Sequence, residues 1–345
     1  MTAIRDQKSD VGDWRKQTGR MTKKIIFLAL CSLLLAPGFA AGAQQPEKVF
    51  RIGFLDGSTA SGMAVLIDAF REELSKLGWT EGKNFTIEYR FAEGRNDRIP
   101  ELAADLVRVK VDLIVVTGGP VPVAAKKATT TIPIVMASGG DPVGRGLVTS
   151  LARPGSNITG VSSLNPELNT KRLEILKDSI PSLSRVGFLR SPVETLQVKE
   201  LRAAAPSLKL KLEEIETQPD SKGLEIAFQT ANQKQVGAIM TITTRRFFAE
   251  RKRIVELAGK HRMPVIYFQK EFVDEGGLMS YGADFDDLFR RAAVYVDKIL
   301  KGAKPADLPV QQATKFDFVI NLKAAKQIGL TIPANVLERA NQVIK

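Results

Sequence analysis

The chain has 345 residues, of which 44% are hydrophobic and 26% are charged, and its formal net charge is +12. This composition is typical of a globular protein of about two domains. A single cysteine excludes a disulfide framework and cysteine-built metal sites, and a single histidine excludes histidine-rich metal sites. Few tyrosines and tryptophans are available to stack on single-stranded nucleic acid. We therefore expect neither a cofactor nor a nucleic-acid partner.

The N-terminal segment has the features of a signal peptide. Lys23 and Lys24 precede an apolar run over 25–36, and Ala41-Gly42-Ala43 fits the small-x-small pattern of a signal-peptidase site. We predict cleavage after Ala43 and a periplasmic location. A membrane anchor is the alternative, although spanning requires about 20 apolar residues. A lipoprotein cysteine at Cys31 is a second alternative, and translation starts at Met1 or at Met21.

The rest of the chain alternates β-branched runs with amphipathic stretches, in the order of an α/β protein. Strands are predicted at 49–55, 85–91, 112–117, 132–137, 157–163, 185–190, 208–215, 238–244, 264–268, 277–281 and 315–320. Helices are predicted at 63–77, 98–109, 120–129, 166–179, 195–205, 224–234, 247–261 and 284–300, followed by two short C-terminal helices. The alternation restarts near residue 183. It therefore predicts two α/β lobes with parallel sheets and a ligand cleft at the carboxyl ends of their strands.

Polar or glycine-containing loops follow several of these strands. Their hydroxyls and free amides suit a small anion such as a carboxylate, and Asp141 suits a ligand ammonium. The candidate ligand-binding residues are Ser58, Thr59, Thr117, Gly118, Gly139, Asp141, Arg190, Thr243, Thr244 and Tyr281. Structural roles stay open for several of them: Thr59 or Ser61 as a helix cap, Asp141 as a turn former, and Arg190, like Arg245, as a solvated surface cation.

Other patterns do not predict chemistry. Asp284, Asp286 and Asp287 suit the first turn of a helix better than a metal site, and His261 suits a helix C-terminus. The chain has no Gly-x-Ser-x-Gly elbow and no phosphate-binding Gly-x-x-x-x-Gly-Lys-Ser/Thr run. We predict no catalytic residue and no metal ligand.

A series of ordered motifs resembles the ABC-transporter substrate-binding proteins that include tryptophan- and tyrosine-binding members. The motifs begin with Gly78-Trp-Thr-Glu-Gly82-Lys-Asn84, Asp141-Pro142-Val143-Gly144 and Pro154-Gly155-Ser-Asn157-Ile-Thr159-Gly160. They continue with Gly277-Leu-Met-Ser-Tyr281-Gly282, Asn321-Leu-Lys-Ala-Ala325 and Leu330-Thr-Ile-Pro333. The resemblance covers residues 48–345.

This resemblance implies a type 1 periplasmic-binding-protein fold, with two Rossmann-like lobes joined by hinge crossings near 181–185, 282–285 and 305–312. Lobe 1 would comprise 48–182 plus about 284–308, and lobe 2 would comprise 183–283 plus about 309–345, after a signal segment at 1–43. The resemblance also implies closure around a small ligand and its delivery to a permease with a separate ATPase subunit. The second-lobe loop that often carries an acid in this family reads Thr241-Ile-Thr243-Thr244-Arg245 here. This departure argues against an α-amino acid ligand, and the arginine favours a carboxylated or otherwise acidic ligand.

The sequence thus predicts a monomeric, non-enzymatic, exported solute-binding protein for a small polar or amino-acid-like ligand. Its membrane association would occur only through the permease. A ligand-sensing protein for a membrane receptor is one alternative. An exported α/β enzyme is another, and it would require a nucleophile–base pair or a metal cluster in the cleft.

Overall fold

The structure, a computed structural model, describes residues 48–191, 196–241 and 243–345. The predicted cleavage site after Ala43 and the alternative lipid site at Cys31 lie outside the described residues. No helix in the described part of the chain is long and apolar enough to cross a membrane.

The strands are short and mostly buried. In chain order they are β1 (Phe50–Asp56), β2 (Phe85–Phe91), β3 (Leu113–Val116), β4 (Ile134–Gly139), β5 (Ile158–Ser162), β6 (Arg185–Arg190), β7 (Lys211–Glu216), β8 (Ala238–Thr241), β9 (Val265–Tyr267), β10 (Met279–Ala283), β11 (Gln311–Gln312), β12 (Phe316–Asn321) and β13 (Gln342–Ile344). All residues of β3, β4, β5 and β8 are buried, as expected for central strands covered on both faces.

Helices connect most of these strands. They are α1 (Ala60–Lys76), α2 (Ile99–Arg108), α3 (Val121–Ala128), α4 (Asn165–Ser179), α5 (Leu196–Ala204), α6 (Ser221–Gln233), α7 (Arg245–Ala249), α8 (Arg251–Lys260), α9 (Glu271–Asp274), α10 (Phe285–Leu300), α11 (Leu322–Gln327) and α12 (Ala334–Leu337). The amphipathic helix α10 buries Leu288, Ala292, Tyr295 and Ile299 on one face, as its spacing predicts.

Two sheets form the described fold. The first has the order β11-β5-β4-β3-β1-β2, and all its strand pairs are parallel. The second has the order β13-β12-β10-β9-β8-β6-β7 and is parallel except where β12 runs antiparallel to β10. The predicted α/β class with two parallel sheets is confirmed, and the second sheet includes one antiparallel pair, β10 with β12.

The chain passes between the two sheets three times. Helix α4 packs against α5, β8, β10 and α12, so the first passage lies between β5 and α4 and not at 181–185. The second lies between the end of β10 and α10, which packs against α1, β4 and β5. The third follows β11, which pairs with β5, and precedes β12. Residues 165–179 therefore pack on the second sheet, although the predicted lobe 1 includes them. Residues 311–312 pair with the first sheet, although the predicted lobe 2 includes them.

Several element boundaries differ from the sequence-based ones. The helix predicted at 247–261 is divided into α7 and α8, because the backbone of Glu250 (φ −91°, ψ 14°) departs from helical values. The elements α9, β11 and β13 were not predicted, since segments of two to four residues show no periodicity. The strands β2 and β6 have the predicted bounds.

Candidate functional site

Asp56 is the centre of a hydrogen-bonded cluster at the carboxyl edge of the first sheet. It is the last residue of β1 and is fully buried. One carboxylate oxygen accepts from the backbone amide of Ser58 at 2.6 Å and from its hydroxyl at 2.7 Å, and the other accepts from the Thr117 hydroxyl at 2.6 Å. Three donors thus neutralise a charge that would be costly to bury alone.

The predicted residues Ser58 and Thr117 are therefore brought together, but by an acid that sequence analysis did not single out. Both hydroxyl hydrogens are directed to Asp56, so each hydroxyl has only its lone pairs left for another partner. Gly118, which follows Thr117, is half-buried, and Gly139 is the buried last residue of β4.

Two of the predicted residues cap helices. The Thr59 hydroxyl accepts from the amide of Gly62 at 3.1 Å at the start of α1, which resolves the choice between Thr59 and Ser61. The Thr244 hydroxyl accepts from the amide of Phe247 at 3.2 Å at the start of α7. Each side chain thus satisfies one of the free amides of a helix N-terminus.

The start of α1 contacts Ala249, the last residue of α7, although the two helices follow strands of different sheets. A Cβ atom on Gly62 would lie 3.0 Å from the Cβ of Ala249 and 3.1 Å from its Cα, which is closer than ordinary contacts. The Arg251 guanidinium also donates to the Gly62 carbonyl at 3.5 Å. The carboxyl edges of the two sheets therefore face each other at this point.

Arg172 lies at the carboxyl edge of the second sheet. Its Nε donates to the Tyr281 carbonyl at 2.8 Å, and its Nη1 donates to the Asn169 side chain at 2.6 Å and the Thr243 hydroxyl at 3.2 Å. The side chain is fully buried, and burial lowers the pKa of Arg172 to about 9. Of the predicted residues, Thr243 and Tyr281 thus belong to this cluster.

Gln197, on α5, forms hydrogen bonds with two members of this cluster. Its amide oxygen accepts from the backbone of Thr243 at 3.0 Å and from the Asn169 side chain at 3.3 Å, and its amide nitrogen donates to the Thr243 carbonyl at 3.1 Å. Thr243 and Asn169, which both bind Arg172, are therefore fixed in position before any ligand arrives.

Arg245 is a second buried arginine, and the expectation of a solvated cation is wrong for it. Its side chain donates to Gln269 at 3.2 Å, and its guanidinium carbon lies 4.5 Å from the centre of the Phe285 ring. Burial lowers the pKa of Arg245, and the charges of Asp56 and Glu271 oppose that shift. Burial also raises the pKa of the Glu271 carboxyl to about 7.

The remaining predicted residues have local partners. The Asp141 carboxylate accepts from the amide of Gly144 at 2.8 Å within its own turn, where Asp141 has a φ of +32°. The Arg190 guanidinium binds Glu214 at 2.8 Å and Glu216 at 3.2 Å on the neighbouring strand β7. Neither residue is in direct hydrogen-bond contact with the Asp56 or Arg172 clusters among the described residues.

The acidic residues and the histidine to which the sequence analysis gave a structural and not a chemical role occupy the expected positions. Asp284 caps α10 by accepting from the amide of Asp287 at 3.0 Å, and His261 follows the last residue of α8. Within the described ranges no group of three or more metal-ligating side chains is suited to hold a metal ion.

A family model described as "ABC transporter substrate binding protein" matches residues 58–344. The chain belongs to this family of substrate-binding proteins. A tyrosine-binding protein of Clostridioides difficile (strain R20291) is 28% identical over 270 residues, which span 76% of this chain and 75% of that protein.

Two solved structures also align with this substrate-binding protein. The ABC domain from Streptococcus pneumonia in complex with L-Trp is 29% identical, with a TM-score of 0.76, and the alignment covers 86% of this chain and all of that one. A substrate-binding protein with adhesive properties from Clostridium difficile, in its ligand-free, open form, is 25% identical with a TM-score of 0.60, covering 86% of this chain and 99% of that one. The expected family is thus confirmed.

Sequence analysis missed four polar residues of this substrate-binding protein's two clusters: Asp56, Asn169, Arg172 and Gln197. Asp56 directly follows the strand predicted at 49–55, and its place at the end of β1 was a usable signal. Asn169, Arg172 and Gln197 lie on helices, where polar residues usually face solvent. No local signal distinguishes them, because their burial depends on α4 crossing to the second sheet.

Proposed function

We propose that this protein is the exported solute-binding component of an ABC importer. It binds a small polar or amino-acid-like ligand between two lobes built on the two sheets, and it delivers that ligand to a membrane permease driven by a separate ATPase. It acts as a monomer in the periplasm, after cleavage following Ala43, and it catalyses no reaction itself.

The observation that supports this proposal most strongly is that the polar carboxyl edges of the two sheets face each other. The Asp56–Thr117 cluster and the Arg172–Thr243 cluster both lie at carboxyl ends of parallel strands, where open α/β sheets bind ligands. The contact between Gly62 and Ala249 supports a closed arrangement of the two edges. The higher TM-score with the L-Trp complex than with the open, ligand-free structure is in line with that arrangement.

In this proposal the predicted ligand residues differ in role. Thr117 and Thr243 line the cleft: Thr117 presents oxygen lone pairs, and Thr243, whose oxygen accepts from Arg172, retains its hydroxyl hydrogen for a ligand. Ser58, Gly118, Gly139 and Tyr281 shape the walls of the cleft. Thr59 and Thr244 cap α1 and α7, which contact each other, and Asp141 and Arg190 lie at the rim. The lobe boundaries follow the three passages of the chain, so we assign α4 to the second lobe and β11 to the first.

Mass spectrometry of the native protein tests the proposal. Protein purified from the periplasm under non-denaturing conditions should retain a small molecule at a 1:1 ratio and begin at Gln44. Small-angle scattering should show compaction when the ligand is restored to protein that has been unfolded and refolded without it. A protein that retains and binds no small molecule contradicts the proposed function, and an N-terminus at Met1 or Met21 contradicts the proposed export.

A further inference from the structure

Arg172 is a buried cation without a counter-charge. Its side chain has no ion pair within the described residues, and its three hydrogen-bond acceptors are a carbonyl, an amide oxygen and a hydroxyl. Arg245, the other buried arginine of the region, differs because the charges of Asp56 and Glu271 act on it. Only Arg172 of these two therefore lacks an acid that balances its charge.

The guanidinium of Arg172 also has unused donors. An arginine offers five N–H groups, one on Nε and two on each Nη atom. The Nε hydrogen and the two Nη1 hydrogens are used by Tyr281, Asn169 and Thr243, whereas Nη2 is buried and has no hydrogen-bond partner among the described residues. Leaving a buried charge unpaired and a buried donor unsatisfied is costly, so such a group requires a specific explanation, and a bound anion is one that would satisfy both.

We propose that Arg172 is the anion-recognising residue of the cleft and that the ligand carries a carboxylate bound by its Nη2. This inference rests on the proposed solute-binding function and specifies the class of solute. Closing of the lobes brings the carboxylate to the guanidinium, and the ligand supplies the negative charge that the protein itself lacks. A charge-assisted contact of this kind is about twice as strong as a neutral hydrogen bond.

The surroundings favour an anion over a cation as the recognised group. The Asp56 carboxylate already accepts three hydrogen bonds from Ser58 and Thr117, so its charge is compensated without a ligand ammonium. Gln197 fixes Thr243 and Asn169, which in turn hold Nη1, so the guanidinium plane is preorganised. An ammonium near this plane would meet a like charge in a medium of low dielectric constant.

Equilibrium dialysis against a metabolite extract, read by mass spectrometry, tests this inference. We expect every compound that the wild-type protein enriches to carry a carboxylate. Arg172→Met and Arg172→Lys should weaken binding of the enriched compound by about 10- to 150-fold, which corresponds to about 1.5–3 kcal/mol. Arg153→Met, at an exposed arginine whose side chain belongs to neither cluster, serves as the matched control and should bind as the wild type does.

Each outcome decides the question. Enrichment of a compound without a carboxylate overturns the assignment of Arg172 but leaves the solute-binding function standing. Retention of wild-type affinity by both Arg172 variants also overturns it. If neither variant folds, the carboxamide of the enriched compound replaces them, and it should bind the wild-type protein at least about tenfold more weakly; equal binding overturns the inference. Enrichment of no compound at all contradicts the proposed function itself.

Discussion

Removing the Asp56 carboxylate should destabilise the protein more than removing other carboxylates does. In Asp56→Ala, three buried donor groups on Ser58 and Thr117 lose their acceptor, and Arg245 loses one of the two acids that act on it. In Asp56→Asn the shape is kept, but one acceptor oxygen is replaced by an amino group that faces a donor. The two substitutions thus separate loss of charge from loss of volume.

The magnitude follows from the number of groups left unpaired. Leaving a buried donor unsatisfied costs about 1–3 kcal/mol, and Asp56→Ala leaves several such donors, so we expect a loss of at least about 3 kcal/mol in unfolding free energy. For Asp56→Asn we expect about 1–3 kcal/mol, because one acceptor oxygen is retained and one donor is left unsatisfied. Both losses are large relative to a total stability of about 5–15 kcal/mol.

Urea unfolding followed by circular dichroism measures both losses without any knowledge of the ligand. Asp97→Asn, which removes an exposed carboxylate 73% accessible to solvent, is the control and should leave the midpoint unchanged. A double-mutant cycle of Asp56→Asn with Thr117→Val should show coupling, because the two side chains share a hydrogen bond of 2.6 Å. Additive effects, or a loss below about 1 kcal/mol for Asp56→Ala, would show that the cluster is not a coupled unit.

Three further perturbations have defined outcomes. Gly62→Val places a side chain against Ala249 and against the Thr59 hydroxyl, and it should weaken ligand binding by about 5- to 150-fold in calorimetry, as expected for overpacking of about 1–3 kcal/mol. Its contact with Thr59 should also lower the unfolding midpoint of the ligand-free protein, so Thr59→Ala is the control that disturbs the cap alone and should bind the ligand more tightly than Gly62→Val does; equal binding by these two variants contradicts closure. The raised pKa of Glu271 means that the folded state binds the proton more tightly, so wild-type stability falls as pH rises from about 4.5 to about 7. We therefore compare the unfolding free energies of Glu271→Gln and the wild type by urea titration at pH 5 and at pH 8. The difference between the two proteins should shift in favour of Glu271→Gln by up to about 3 kcal/mol at the higher pH, and a difference in unfolding free energy that does not change with pH would refute this. Thr59→Ala should lower the unfolding free energy by about 0.5–2 kcal/mol and Ser61→Ala by less, since Thr59 is the cap of α1; the reverse order would be inconsistent with the observed cap.

The secondary structure was predictable because it depends on local patterns. A short buried apolar run bounded by turn residues, such as Leu113–Val116, favours a strand, and the 3.6-residue spacing of apolar residues along Phe285–Leu300 favours a helix. The antiparallel pairing of β12 with β10 was not predictable, since it depends on where the chain returns after its passage through the first sheet. Short elements such as Gln311–Gln312 consist of polar residues and exist only because β5 provides a pairing edge.

The sequence indicated where polar side chains gather but not which charges they hold. The rule that ligands meet the carboxyl ends of parallel strands directed attention to Thr117 and Thr243, and both lie in hydrogen-bonded clusters there. The charges within those clusters, on Asp56 and Arg172, depend on partners that are 61 and 71 residues away in the sequence. Such long-range pairs leave no trace in local periodicity.

The late return of the chain to the first sheet has a consequence for biosynthesis. The ring centres of Phe289 on α10 and Phe54 on β1 lie 6.5 Å apart. In the sequence, α10 begins about 120 residues after the end of β5. At about 5–20 residues per second, the ribosome needs on the order of 6–25 s to add that stretch. During this interval the nascent first sheet has an uncovered apolar face along β4 and β5, against which α10 later packs. We therefore expect the growing polypeptide to bind holding chaperones until almost the whole chain has been made.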